Sequence, residues 1–197
     1  LHLSLRRQRQ MCIRDRHFVY LETLGGGAGA RFDADGMDAV HVHMTNTSNL
    51  PVEALENEYP LLMDEYAMIP DSGGVGRTRG GLAIAKQIRA VGPGIVFSAR
   101  SDSHTVGVAA GVDGGGDGRR ARLIRNFGTP QAEELFSKTA NIALAPGDSV
   151  RIETPGGGGY GAPAERIRTR IERDLADGKV SAEAALAAYG AAPATPR

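Results

Sequence analysis

Cysteine is nearly absent from this chain. Its 197 residues hold a single one, Cys12, and no tryptophan at all. With Cys12 set aside, for the reason given in the next paragraph, disulfides, cysteine zinc sites and thiol nucleophiles are excluded from the remaining sequence. That matches a reducing cytoplasm. Long apolar runs are also missing. No stretch approaches the roughly 18 consecutive apolar residues of a membrane helix, and the first residues have no apolar segment suited to a signal peptide. Membrane insertion and secretion are therefore not expected. Nor is there a charge of one sign to attract a polyanion, since 23 basic residues balance 23 acidic ones.

The basic residues are unevenly placed. The segment LHLSLRRQRQMCIRDR, residues 1–16, carries five arginines and one acid. It opens on Leu1, and MCIRDR looks like translated adapter sequence joined to a truncated reading frame. We expect it to be a non-native or disordered basic tail and set it aside from fold reasoning. Without it, 18 basic residues face 22 acidic ones, a net charge of −4, so a nucleic-acid surface is not expected.

What the chain has in excess is glycine, 27 of 197 residues, about double the usual ~7%. There is no Gly-X-Y period. The glycines cluster at 25–29, 73–76, 80–81, 114–118 and 156–161, which reads as irregular loops between strands. The intervening runs are short and aliphatic. Asp38–Met44 alternates as a half-buried strand does, and 60–69, 81–91, 94–99, 122–127 and 149–154 complete the strand set. A short helix is expected over Pro51–Glu58, with Asn49 as N-cap. Farther on, Ala164, Ile167, Ile171 and Leu175 recur at helical spacing with arginines between them. Asp177-Gly178 ends that helix, and Ser181 caps a second one that stops at Gly190. The fold class is α+β. A β-rich part over 17–163 is followed by a helical hairpin over 164–190 and a frayed tail over 191–197.

Four constellations carry possible chemistry. His41 and His43, two apart on a strand, share a face and can meet one ligand. A divalent metal could take both, with Glu53, Glu56 or another residue as third ligand. The plainer alternative is packing and local hydrogen bonding, since two histidines do not complete a site. The small polar residues Thr45, Asn46 and Asn49 that follow favour an active-site wall. In the second, Asp71, Ser72, Arg77 and Arg79 sit in a glycine-rich stretch, 70–81. Its amides and guanidinium groups can clamp a carboxylate or phosphate, or it is a turn with solvated arginines. The third is Gly157 and Gly158, in a glycine run entering a helix. They can approach an anion, but the Lys-Ser/Thr of a P-loop is lacking. The fourth, 24–30, nearly matches a dinucleotide fingerprint, as poly-glycine does by accident, and is discounted.

Five segments together carry a resemblance: GGGAGAR (25–31), HVHMTNTSNLPVEALENEYP (41–60), PDSGGVGRTRGGL (70–82), PGDSVRIETPGGGGYGAP (146–163) and DLADGKVSAEAALAAYG (174–190). In order and spacing they resemble the C-terminal third of hydantoinase B/oxoprolinase proteins, so an incomplete subunit, inactive alone, is expected. Gly161-Ala162-Pro163 stands where the family usually has Gly-Asp-Pro. The resemblance implies the B-type subunit of an ATP-dependent cyclic amide hydrolase that opens hydantoin or 5-oxoproline rings. It also implies a hydantoinase A-type partner that binds most of the ATP, and metal ligands drawn largely from elsewhere in the protein. Relatives carboxylate acetone or acetophenone, so part of a ketone carboxylase is the first alternative and a non-catalytic scaffold half the second. On this reading His41, His43, Asn46, Glu53 and Arg77 are the candidate catalytic residues. Thr45, Asn49, Asp71, Ser72, Arg79, Gly157 and Gly158 are the candidate substrate contacts, and His41 and His43 the candidate metal ligands.

Overall fold

The computed structural model describes residues 18–41, 45, 47–104 and 107–190. Tail residues 1–16 and 191–197 fall outside them, as do His43 and Asn46. Seven strands and three α-helices make an α+β fold. The strands are β1 (Leu61–Met68), β2 (Ile84–Ala90), β3 (Ile95–Arg100), β4 (Arg122–Arg125), β5 (Glu133–Glu134), β6 (Lys138–Leu144) and β7 (Ser149–Glu153). Five of them form an antiparallel sheet in the order β1-β2-β7-β4-β5, and β3 pairs with β6 in a second, two-stranded sheet. Sequence patterning indicates β1 to β4 and β7. It gives no sign of β6, whose burial follows no clean alternation.

Period-two alternation decides the faces of the main sheet. Ile84, Lys86, Ile88 and Ala90 project from one side of β2. They pair with Ile152 and Val150 of β7 and with Tyr66, Met63 and Leu61 of β1. This side joins the main core, which also takes in Leu123, Ile95 and Leu144. The first helix, α1 (Val52–Glu58), closes the core with Leu55, which is fully buried. Burial of such a leucine is worth about 1.5–3 kcal/mol. The N-cap of α1 is Pro51, with no side-chain cap bond. Asn49, expected there, donates instead to Tyr66 Oη at 2.6 Å. The strand expected from Asp38 is reduced in its described part to one bridge between Val40 and Gly26. Ala39 has φ +50°, which interrupts the extended backbone.

The glycine segments form no regular strand or helix, yet they are packed in order. Residues 155–161 run through the middle of three other segments, and their hydrogen bonds repeat every third residue. Gly27 and Ala30 donate to the carbonyls of Pro155 and Gly158. Gly156 and Gly159 donate to Arg119 and Gly116, and Gly157 and Tyr160 donate to Gly81 and Thr78. Three residues per turn is the polyproline II repeat, so successive residues of the central segment address different neighbours. Side chains have no place there. A Cβ on Gly157 would lie 1.9 Å from the Ala28 carbonyl oxygen, and one on Gly80 1.9 Å from that of Gly157.

The C-terminal helices are α2 (Arg168–Ala176) and α3 (Ala182–Tyr189). Ser181 Oγ accepts from the Ala184 amide at 3.1 Å, and Gly190 at φ +63° ends α3, both as the sequence indicates. The helix expected from Ala164 begins later. A 3₁₀ turn (Pro163–Glu165) precedes an extended Arg166 and Ile167. The pull on Arg166 is electrostatic. Its side chain is completely buried, forked onto Asp35 at 2.8 and 3.0 Å and bonded to Asp174 at 2.6 Å.

Candidate functional site

Polar chemistry collects where residues 18–22 meet the core-facing side of the main sheet at β2. Lys86 lies in a strand on the same face as Ile84 and Ile88, so it points inward and is 1% exposed. A buried ammonium costs several kcal/mol unless it is paired. Its Nζ donates to Glu22 Oε2 at 2.5 Å and to Tyr20 Oη at 3.3 Å. Tyr20 in turn donates to the same Glu22 oxygen at 2.5 Å. Tyr66, the cross-strand partner of Lys86, places its ring centroid 4.9 Å from Nζ, a cation–π contact that uses the remaining face of the ammonium. The Tyr66 hydroxyl then accepts from Asn49. Five residues from four separate stretches of sequence thus form one chain of contacts. The other oxygen of Glu22, Oε1, is buried and has no partner.

Burial pushes the Tyr20 hydroxyl far above its ordinary value, and its hydrogen bond to Glu22 adds to the rise. Burial also raises Tyr66, helped by the Glu22 charge and opposed by Asn49. Both hydroxyls therefore stay protonated near neutral pH. They act as hydrogen-bond donors or acceptors and not as bases.

Two openings adjoin this cluster. The smaller, about 170 Å³, has His41 and Thr45 facing residues 23–26. His41 Nε2 is buried there without a hydrogen-bond partner among the described residues. Among the described residues no group of three or more His, Cys, Asp or Glu is placed to hold a metal. Glu53 is exposed, in the first turn of α1. The larger opening is a groove of about 960 Å³ between the two sheets, mostly apolar, with Ile88, Phe97, Val150 and Ile152 on its walls. Its charged and titratable points include Glu22, Arg100, Asp102, His104, Arg122 and Glu153. Burial lowers the His104 pKa, so its imidazole is neutral at pH 7.

The residues expected at the second and third constellations lie elsewhere. Neither opening is lined by Asp71, Ser72, Arg77, Arg79, Gly157 or Gly158. Ser72 donates to the Ile69 carbonyl and accepts from the Ala83 amide. Asp71 accepts from the Ser181 amide. Arg79, 3% exposed, joins Asp38 at 3.1 Å and Asp174 at 3.4 Å. Arg166 and Lys179 complete a group of three carboxylates and three cations that ties the helical hairpin to the body. Burial alone would raise Asp35, but hydrogen bonds from Arg166 and the Arg79 amide outweigh it and hold the carboxyl below its usual range. Asp38 is held low likewise, by the Leu82 amide and Arg79 against the effect of burial. Arg77 is more open. It reaches the Phe32 carbonyl at 3.2 Å and Glu165 at 3.4 Å, and lies 5.5 Å from the Tyr160 ring centroid. Gly157 donates to Gly81 and accepts from Gly74, and the Gly158 carbonyl accepts from Ala30, all within the glycine bundle.

Tyr20, Glu22, Lys86 and Arg166 make buried or half-buried polar contacts, and none of the four belongs to the constellations expected from sequence. For Lys86 a signal exists, because period two puts it on the apolar face of β2. For Glu22 and Arg166 the partners lie 64 and 131 residues away, beyond any local pattern.

The hydantoinase B/oxoprolinase family model matches residues 1–163. The B-type component of a putative D-/L-hydantoinase from Pseudomonas sp. (strain NS671) is 34% identical over 177 residues, covering 89% of this chain and 30% of that protein. The 5-oxoprolinase PfmaA of Pestalotiopsis fici is 37% identical over 148 residues, covering 73% of this chain and 11% of its own length. Among solved structures, an ATP-dependent caprolactamase from Pseudomonas jessenii superposes with a TM-score of 0.70 at 25% identity, over 87% of this chain and 30% of that one. The chain therefore spans less than a third of the length of these relatives.

Proposed function

We propose that this chain, which belongs to the hydantoinase B/oxoprolinase family, is part of the B-type subunit of an ATP-dependent enzyme that opens cyclic amides such as hydantoin or 5-oxoproline. The similarity to a B-type hydantoinase component over 89% of the chain carries the reading. The likeness to a 5-oxoprolinase and a caprolactamase supports it, since both names describe enzymes of ring amides.

ATP is assigned to an A-type partner. The glycine run at 156–161 lacks a P-loop lysine, and the amides of Gly156, Gly157, Gly159, Tyr160 and Gly161 already bond to neighbouring backbone, which disfavours a phosphate cradle. A metal fits poorly on the described residues alone. His41 and Thr45, with His43 and Asn46 beside them in sequence, are proposed as a wall of the reaction chamber, and Asn49 as the residue that fixes Tyr66. The half-buried Tyr20 hydroxyl and the buried, paired ammonium of Lys86 can orient a neutral substrate, because hydrogen bonds out of water are worth more than in it. Ser72, Arg79, Gly157 and Gly158 direct their polar groups into the protein, and Asp71, though exposed, is engaged by the Ser181 amide. That favours a shape-holding role for them, as in the scaffold reading. Arg77 is the cation of this group left accessible to substrate or partner. A cytoplasmic location goes with the single cysteine.

The test is ATP turnover by the complete complex with its A-type partner. Hydantoin, 5-oxoproline or caprolactam should stimulate phosphate release. Stimulation only by a ketone with bicarbonate would move the assignment to a carboxylase, and stimulation by neither would leave the scaffold reading.

A further inference from the structure

Both walls of the groove between the sheets are edges of extended backbone. Every residue from Pro93 to His104 lines it, a run that includes all of β3, while of β6 only Leu144 does. A cavity against one face of a strand meets every second residue. This one meets both sets, so it runs along the edge of β3 that is turned away from β6. The opposite wall is similar. Every residue from Phe18 to Leu24 lines it, and none of them makes a backbone–backbone hydrogen bond to another described residue. The floor is different in kind. It is one face of the main sheet, with Ile88, Ala90, Leu123, Val150 and Ile152.

Three needs meet in this groove. Among the described strands β3 pairs with β6 alone, so alternate N–H and C=O groups of 95–100 have no ladder partner. Such an edge is a template for another strand, and a two-stranded sheet is marginal by itself. Apolar side chains are also uncovered on both walls, with Val96 59% and Leu21 90% exposed. An extended segment answers all three. It supplies ladder bonds to β3, lays every second side chain on the apolar floor, and covers Val96 and Leu21. A small molecule can cover apolar surface but cannot supply a row of backbone bonds. The charges of the lining are mixed, Arg100 and Arg122 against Glu22, Asp102 and Glu153, so no ion of one sign is selected.

The relatives indicate where such a segment comes from. The alignments take in 89% and 87% of this chain but 30% of the B-type hydantoinase component and 30% of the caprolactamase, which leaves more than two thirds of a subunit of that size outside it. We infer that the groove seats an extended segment from the remainder of the B-type subunit, added to the free edge of β3 as a third strand. Matching the six residues of β3 takes about 20 Å of strand. The groove is then an assembly surface within the subunit and not a chamber for substrate. The inference rests on the reading of this chain as part of a larger B-type subunit, and not on which substrate that subunit serves.

Residue-resolved amide hydrogen exchange tests it, on the 197-residue chain and on the complete subunit purified without its A-type partner. In the shorter chain one alternate set of β3 amides, bonded to β6, should be protected while the other set exchanges freely. In the complete subunit the second set should slow by about a hundredfold or more. A second set that stays fast in the complete subunit overturns the inference, and this result stands even if the shorter chain does not fold. Protection of both sets in the shorter chain, with a dimer in sedimentation, makes the occupant a second copy and overturns it too. Turnover moves independently. A complete subunit with both sets protected, whose complex ignores every lactam, loses the assigned activity and keeps the added strand.

Discussion

The glycine bundle and the groove between the sheets are opposite solutions to filling an interior. In the bundle, backbone meets backbone. Hydrogen bonds repeat every third residue, and a single added methyl would overlap a neighbouring carbonyl. At the groove, side chains from two sheets approach but leave about 960 Å³ between them. One region leaves no room for change, and the other holds space. The contrast separates the part of the chain that sets shape from the part that can receive something.

The most damaging way to break this contrast is to put a methyl into the bundle. Gly157→Ala places its Cβ 1.9 Å from the Ala28 carbonyl oxygen and should cost more than about 4 kcal/mol, seen as loss of the cooperative melt. Gly128→Ala is the control. Its φ of +82° strains alanine, yet nothing lies within 4 Å, so about 1 kcal/mol is expected. Equal effects at the two sites would mean the bundle is not tightly packed.

Next in size is Arg166→Ala, which leaves Asp174 buried beside an empty position. A loss of about 3 kcal/mol should appear in urea denaturation. The same network gives a pH dependence. Asp35 and Asp38 have folded pKa values below their unfolded ones. Their stabilisation is therefore complete above about pH 4 and is lost as pH falls through the depressed values. The melting temperature of the parent should drop below pH 4, and Arg166→Ala should flatten that drop. An unchanged acid limb in the variant would show that the carboxylates are held low by something else.

Smaller effects sharpen the groove side. Leu55→Ala, in packed core, should cost about 3 kcal/mol, and Ile152→Ala, on the groove wall, closer to 1, because its surroundings are already open. Similar costs would indicate that the groove is filled in solution. Smallest is Ser181→Ala, a lost N-cap bond worth about 1 kcal/mol, confined to α3 and visible in hydrogen exchange of its first turn.

Local rules made part of this molecule readable. Short β-branched and aliphatic runs at 81–91 and 149–154 gave strands, Ser181 and Gly190 gave the limits of α3, and the glycine-bearing motifs carried the family resemblance. What stayed hidden depends on distance. A glycine run looks like a loop until three other segments are known to surround it. Arg166 sits at a position that helical periodicity marks as exposed, and only the carboxylates of Asp35 and Asp174 turn it inward. Glu22 and Lys86 are ordinary apart and informative together. The candidate site was legible where it follows one stretch, at His41, Thr45 and Asn49, and illegible where two strands and a remote segment meet.

The bundle also has a meaning at the level of the gene. Glycine codons share their first two bases, and the third is free. A silent third-base change at Gly157 leaves the bundle untouched, while any change at the first or second base that still encodes an amino acid installs a Cβ where a carbonyl oxygen already sits. The coding stretch for 156–159 should therefore accumulate changes almost only at every third nucleotide, whatever substrate the assembled enzyme turns over.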